Sequence, residues 1–136
     1  MSDAIQVLLI DDEKIFVESL TKVLKKRGME VRAAYDGPTA LEAHSAEEAD
    51  VIVLDLRMPG MDGLAVLNEI RRRDTLTPVI LLTGNIDIDR VTQVLNKGAT
   101  EVLFKPCPID TLISAIENAC ELKTISREVI DKQGDK

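Results

Sequence analysis

Strand-sized apolar runs and helical patterns alternate five times along this chain. Ile5 to Ile10 reads as a first strand. Lys14 to Arg27 then carries Phe16, Leu20, Val23 and Leu24 at helical spacing, which predicts a helix with those residues on one face. Gly28 stands where a helix end calls for a left-handed residue. Glu30 to Ala34 predicts a weaker second strand. Asp36, Gly37 and Pro38 suit a turn into a short helix reaching about Ser45, with Pro38 in its first turn. Asp50 to Leu54 and Pro78 to Leu82 read as the third and fourth strands. Both are apolar almost throughout, as a strand buried on both faces should be. Between them, the loop Arg57 to Gly63 leads to a helix ending near Arg73. Asp87 to Asn96, stopped by Gly98, predicts a fourth helix, and Glu101 to Phe104 a fifth strand. After a loop bracketed by Pro106 and Pro108, a last helix from about Ile109 buries Leu112, Ile113, Ile116 and Ala119. This rhythm predicts an α/β domain with a parallel sheet and helices on both faces. The domain is expected to span residues 1–122. Residues 123–136 are mostly polar and read as a tail or linker, or as an extension of the last helix, because Leu122, Ile125 and Val129 keep helical spacing.

Each strand bearing on function ends in a polar residue. Asp11 and Asp12 follow Val7 to Ile10, Asp55 follows Val51 to Leu54, Thr83 follows Val79 to Leu82, and Lys105 follows Val102 to Phe104. In an open parallel sheet the ligand site lies outside the carboxyl ends of the strands. One pocket is therefore expected to gather three carboxylates, a hydroxyl and an ammonium. Packed carboxylates resist full ionisation, and a divalent cation removes that penalty. An oxygen-only donor set suits Mg²⁺, with Asp12 and Asp55 as direct ligands and Asp11 beside them or acting through water. An ionised Asp is also a nucleophile toward phosphorus, giving an acyl phosphate. Phosphoryl transfer needs positioning and charge neutralisation, which Thr83 and Lys105 can supply.

Composition narrows the classes. The chain has 136 residues, the size of one ordinary domain, and it is 45% hydrophobic but only 2% aromatic, so its core must be aliphatic. A net charge of −7 argues against nucleic-acid binding by this domain. Cys107 and Cys120 form no metal-ligand pattern and read as two reduced thiols. The N-terminus has no signal-peptide pattern, and no apolar run approaches the roughly 18 residues of a membrane span, so a cytoplasmic protein without membrane contact is expected. No Gly-rich nucleotide fingerprint is present. Arg71, Arg72 and Arg73 are expected to be a solvated helix end complementing the dipole, and His44, the single histidine, a surface residue.

Four motifs stand in order at these strand ends: Asp11-Asp12-Glu13, the run Asp55-Leu56-Arg57-Met58-Pro59-Gly60-Met61-Asp62-Gly63, Thr83-Gly84 and Lys105-Pro106. Over residues 4–122 the chain resembles the receiver domain of bacterial two-component response regulators, of the chemotaxis-regulator kind. That resemblance implies a flavodoxin-like fold with strand order 2-1-3-4-5. It implies that Asp55 is the phosphoacceptor, taking its phosphoryl group from a phosphohistidine on a sensor histidine kinase or phosphotransfer protein. Asp11, Asp12 and Asp55 would hold Mg²⁺ together with the backbone carbonyl of Arg57. Thr83 and Lys105 would contact the phosphoryl group. Such a domain is a signalling device that assists only its own phosphorylation and dephosphorylation. The first helix would dock the kinase, with Glu18 and Lys22 as candidates there. The fourth helix, fifth strand and fifth helix would form the output surface, and a phosphorylation-dependent homodimer fits the resemblance.

The chain departs from the family pattern at Val102, where an aromatic ring usually stands. Phe104 shares a strand face with it and is expected to pack on a helix or lie at the surface. Arg57 and Asn85 occupy the positions that tune phosphoryl lifetime, and Arg57 suggests slow to intermediate self-hydrolysis. Two alternatives stand beside this reading. A pseudo-receiver would bind partners without phosphorylation, although no acidic residue or lysine is missing. A haloacid-dehalogenase-type phosphatase would need a second Asp two residues after the nucleophile, where Arg57 stands. Too few residues follow 122 for an effector domain, so the expectation is a single-domain regulator or a piece of a larger one.

Overall fold

The computed structural model describes residues 4–58, 62–84 and 88–134. Five strands, β1 (Gln6–Ile10), β2 (Glu30–Ala34), β3 (Val51–Leu54), β4 (Val79–Thr83) and β5 (Glu101–Phe104), form one parallel sheet in the order β2-β1-β3-β4-β5. Five helices alternate with them: α1 (Lys14–Lys26), α2 (Gly37–Ala46), α3 (Gly63–Arg73), α4 (Ile88–Asn96) and α5 (Ile109–Gly134). This is the flavodoxin-like order. The expected fourth-helix start, Asp87, lies outside the described residues.

Strand alternation divides the core into two aliphatic layers. On one face Leu8, Ile10, Ile52, Leu54 and Leu81 pack with Ala40 of α2, Val66, Leu67 and Ile70 of α3, and Val94 of α4. On the other, Val7, Leu9, Val53, Ile80 and Leu82 pack with Val17, Leu20 and Leu24 of α1 and Leu112, Ile116 and Ala119 of α5. Burying each such Leu or Ile contributes about 1.5–3 kcal/mol. The central strands β3 and β4 are buried along their whole length, which explains their unbroken apolar sequence.

Local signals set the helix ends. Asp36 caps α2 by accepting from the Thr39 N–H at 2.8 Å, and Asp62 caps α3 by accepting from the Ala65 N–H at 3.0 Å. Gly28, at φ +87°, and Gly98, at φ +105°, close α1 and α4 in the left-handed region.

Four details differ from the sequence expectation or decide between its alternatives. The buried stripe of α1 is Val17, Leu20 and Leu24, while Val23 turns outward and Phe16 is half-buried. The spacing i, i+3, i+7 fits one face better than the set that included Val23. His44 is not a surface residue. Its Nε2 lies 2.8 Å from Asp74 Oδ2, and its Nδ1 accepts from the Ala49 N–H at 3.3 Å. Arg71 is not a solvated helix end either, because its Nε donates to the Gly98 carbonyl at 2.9 Å and its guanidinium to the Asp74 carbonyl at 3.0 Å. Finally, of the two readings of the C-terminal segment, residues 123–134 take the helical one and not the tail. α5 continues without a break to Gly134, held by Lys123. That side chain is only 8% exposed, and its Nζ donates to the Ala49 carbonyl at 2.7 Å and pairs with Glu48 at 3.2 Å. Arg127 reaches the same carboxylate at 3.1 Å. Burial pushes the Glu48 carboxyl up, but its bond to Lys123 and the charges of Lys123 and Arg127 outweigh this and hold it below its ordinary value.

Candidate functional site

The register brings the strand ends level. Ile10 lies opposite Ala34 and Leu54, Leu54 opposite Leu81, and Thr83 opposite Phe104. Backbone bonding then runs one residue further. Asp11 N–H donates to the Ala34 carbonyl at 3.1 Å, Asp55 N–H to Ile10 at 2.9 Å, and Lys105 N–H to Thr83 at 2.9 Å. The polar residues that follow the apolar runs are thereby fixed by the sheet itself.

Their side chains meet. Carboxylate oxygens of Asp11, Asp12 and Asp55 lie within 4.8 Å of one another. Asp11 and Asp55 are buried and Asp12 is half-buried. Lys105 Nζ stands 2.7 Å from Asp11 Oδ2, 3.4 Å from Glu13 Oε1 and 3.9 Å from Asp55 Oδ2. Asp11 Oδ1 accepts from the Glu13 N–H at 3.0 Å. The Arg57 N–H approaches Asp55 Oδ1 at 3.4 Å, and the Arg57 side chain is exposed.

Burial pushes the Asp55 carboxyl above its ordinary value, and the Asp11 carboxylate adds to this. The Lys105 charge and the Arg57 N–H oppose them and do not cancel them. Lys105 shows the opposite balance. Burial favours the neutral amine, but the bond to Asp11 and the charges of Asp11, Asp55 and Glu13 outweigh it and raise its value. The pocket therefore carries excess negative charge that one ammonium does not satisfy. An oxygen-only donor set with mutual repulsion fits a hard divalent cation.

Thr83 is fully buried, and its Oγ1 has no hydrogen-bond partner. The hydroxyl is close enough to favour the ionised form of Asp55 but does not meet hydrogen-bond geometry with it. A buried hydroxyl without a partner thus lies beside the Asp55 carboxylate.

Gly63 fixes the loop behind Asp55. A Cβ there would sit 2.5 Å from both the Asp55 carbonyl oxygen and Leu56 Cα. The Gly63 N–H donates to the Leu56 carbonyl at 2.8 Å. Only glycine lets the start of α3 approach the end of β3 so closely.

All the expected site residues, Asp11, Asp12, Asp55, Arg57, Thr83 and Lys105, converge on this edge of the sheet. Asn85, Pro59, Gly60 and Met61 lie outside the described residues. Val102 is half-buried against the α2–α3–α4 layer, and Phe104 is 49% exposed. Two contacts of Lys105 had no sequence signal, Glu13 and the ring of Phe16, whose centroid is 4.3 Å from Nζ.

The family described as "Response regulator receiver domain" matches residues 7–117. The chain is 33% identical over 124 residues to "Regulatory protein AtoC" of Escherichia coli, covering 91% of this chain and 27% of that protein. It is 35% identical to "DNA-binding transcriptional regulator NtrC" of the same species over 113 residues, covering 83% and 24%. The chain thus spans about a quarter of the length of these curated relatives. Among solved structures, NtrX from Brucella abortus in complex with ADP superposes with a TM-score of 0.88 at 32% identity, over 94% of this chain and 30% of that one. The receiver domain of Francisella response regulator 1452 gives 0.80 at 31% identity, over 85% and 96%.

Proposed function

Because this chain belongs to the response regulator receiver domain family, we propose that it is an active phosphoacceptor, modified on Asp55 by a phosphohistidine donor. The observation that carries the reading is the complete set at one sheet edge. It comprises three carboxylates within 4.8 Å, an ammonium 3.9 Å from Asp55, and a buried hydroxyl with no partner. A pseudo-receiver would have no need of that set.

In this mechanism an Asp55 carboxylate oxygen attacks phosphorus. The P–N bond of the donor breaks, its electron pair stays on the imidazole nitrogen, and the phosphoryl group is left as an acyl phosphate. Asp11, Asp12, Asp55 and the Arg57 carbonyl would hold Mg²⁺, which supplies neutralisation of the carboxylates and of the incoming phosphoryl oxygens. Asp11 keeps the ammonium of Lys105 at the site. Lys105 neutralises developing charge on the phosphoryl oxygens, and the Thr83 hydroxyl turns to donate to one of them. Movement of Thr83 at the end of β4 would carry the change to α4 and β5, the output side. Burial of Asp55, with Arg57 two residues on to shield it, favours slow to intermediate hydrolysis of the acyl phosphate.

The family makes this a signalling domain rather than a turnover enzyme. Its donor would be a sensor histidine kinase or phosphotransfer protein docking beside α1, where Glu18 and Lys22 are exposed. A cytoplasmic site of action is consistent with two free cysteines and with described helices too short or too polar to cross a membrane. We place the receiver domain at residues 1–122 and read residues 123–136 as a tail or linker, of which 123–134 extend the last helix. Output would pass through a second copy or a separate effector.

Intact mass after incubation with Mg²⁺ and acetyl phosphate tests the proposal. The protein should gain one phosphoryl group, Asp55→Asn should gain none, and a chelator should abolish the gain. A purified kinase domain as donor with the same null result would sink the phosphoacceptor reading.

A further inference from the structure

The chain has one Tyr, two Phe and no Trp, and two of these scarce rings lie against ammonium groups near the acidic pocket. Lys14 Nζ is 5.5 Å from the Tyr35 centroid, and Lys105 Nζ is 4.3 Å from the Phe16 centroid. The second contact lies well inside the roughly 6 Å reach of a cation–π interaction. It also involves the one lysine of the phosphoryl site. Phe16 is half-buried and packs against the α1–α5 core layer, so its ring is anchored from behind.

Lys105 has a flexible four-carbon stem and three donors. Its polar partners are all carboxylates: Asp11 at 2.7 Å, Glu13 at 3.4 Å and Asp55 at 3.9 Å. A divalent cation seated on Asp11 and Asp55 competes for two of them. A phosphoryl group on Asp55 removes the charge of one. Neither event consumes the exposed Glu13 carboxylate or the ring face, and of these two it is the ring, half-buried and fixed to the core layer, that holds the ammonium inward by its quadrupole.

We infer that Phe16 is a positioning residue for phosphoryl transfer, its ring seating the Lys105 ammonium at the pocket when cation and phosphoryl group engage the carboxylates. The inference rests on the phosphoacceptor reading above. Without the ring, the ammonium follows the exposed carboxylate of Glu13 outward, and less of its charge is aligned with the phosphoryl oxygens. An aliphatic side chain of similar size keeps the packing and loses the seat.

The test uses the whole chain with Mg²⁺ and acetyl phosphate, comparing Phe16→Leu, Phe16→Met and Phe16→Tyr with wild type. Two quantities are read: the rate of phosphoryl gain by intact mass, and the ring-current shift of the Lys105 ε-methylene protons by NMR. In wild type those protons should be shifted upfield. The two aliphatic variants should lose the shift and slow phosphorylation by roughly three- to tenfold, the effect expected from losing one contact of this class. Phe16→Tyr should restore both. Aliphatic variants that lose the shift yet react at the wild-type rate would overturn the inference, as would Phe16→Tyr recovering the shift without the rate. If Phe16→Leu fails to fold, Phe16→Met, with its adaptable stem, carries the comparison. A wild-type chain that accepts no phosphoryl group from acetyl phosphate or a kinase domain would overturn the underlying reading, and that result appears before any variant is compared.

Discussion

Thr83 holds a hydroxyl that bonds to nothing in the resting protein. An unsatisfied buried polar group costs about 1–3 kcal/mol, and in the proposed phosphorylated state this hydroxyl gains a phosphoryl oxygen as acceptor. Thr83→Val keeps the shape and removes the hydroxyl. It should leave the unmodified protein as stable as wild type, or more stable by about 1 kcal/mol, in urea denaturation. With acetyl phosphate and Mg²⁺ the sign should reverse, because wild type gains a bond to a charged oxygen that Val lacks. Equal stabilisation of both proteins on phosphorylation would show that the hydroxyl never engages the group. Thr83, with Asp11, Asp12, Asp55 and Lys105, was legible in the sequence because each directly follows an apolar run. In a parallel sheet that position alone dictates location. Phe16 and His44 were not legible. Phe16 looks like any core residue on a helix until Lys105 arrives from far along the chain. His44 was misread because its partner Asp74 lies thirty residues on, bonded across the α2–α3 boundary.

α5 shows the same limit at the scale of an element. Its first half, with Leu112, Ile113, Ile116 and Ala119, follows the helical period and was readable from it. Its second half has little apolar surface to bury, and what there is, Leu122, Ile125, Val129 and Ile130, stays about half exposed. Polarity suggested a tail, yet the helix persists because its anchor is polar. Lys123 buries its stem and delivers its ammonium to the Ala49 carbonyl and Glu48, and Arg127 closes on the same carboxylate. The end of the sheet opposite the proposed phosphoryl site thus holds the second half of α5. Lys123→Ala leaves the Ala49 carbonyl and Glu48 without their central partner and should cost about 1–3 kcal/mol. Amide exchange should then accelerate for residues 124–132 far more than for 112–119. Lys123→Met, which keeps the packed stem, should fall between the two. Unchanged protection across 124–132 in Lys123→Ala would mean the extension stands on helix propensity alone.

Across the whole molecule, buried Asp55 and half-buried Asp74 pull the pH dependence of stability in opposite directions. At Asp55 burial and the Asp11 charge raise the folded-state value above 3.8. Between 3.8 and that raised value the folded protein binds more protons than the unfolded chain, so stability falls as pH rises through the window. At Asp74 burial favours the neutral acid, but bonds from the Thr77 hydroxyl, His44 and the Thr77 and Leu76 N–H groups outweigh it and hold the carboxyl far below 3.8. Its contribution is fully present above 3.8 and is lost as pH falls below that value. The net charge of −7 adds self-repulsion at neutral pH, which acid also relieves. In metal-free buffer the thermal midpoint should therefore rise as pH drops from 7 through the Asp55 window, then fall below 3.8, where the unfolded chain takes up a proton that folded Asp74 does not. Asp55→Asn should raise the midpoint at pH 7 by a few degrees and flatten the first limb. Asp74→Asn should lower the midpoint at pH 7 and flatten the acid limb. Mg²⁺ should raise the wild-type midpoint at pH 7 and do so less in mild acid, where protons compete for the same carboxylates. Asp55→Asn should respond to Mg²⁺ much less at either pH. A wild-type midpoint indifferent to Mg²⁺ at pH 7 would disconnect the acidic cluster from metal binding. An unchanged first limb in Asp55→Asn would assign the pH response to the overall charge of the molecule and not to its phosphoryl site.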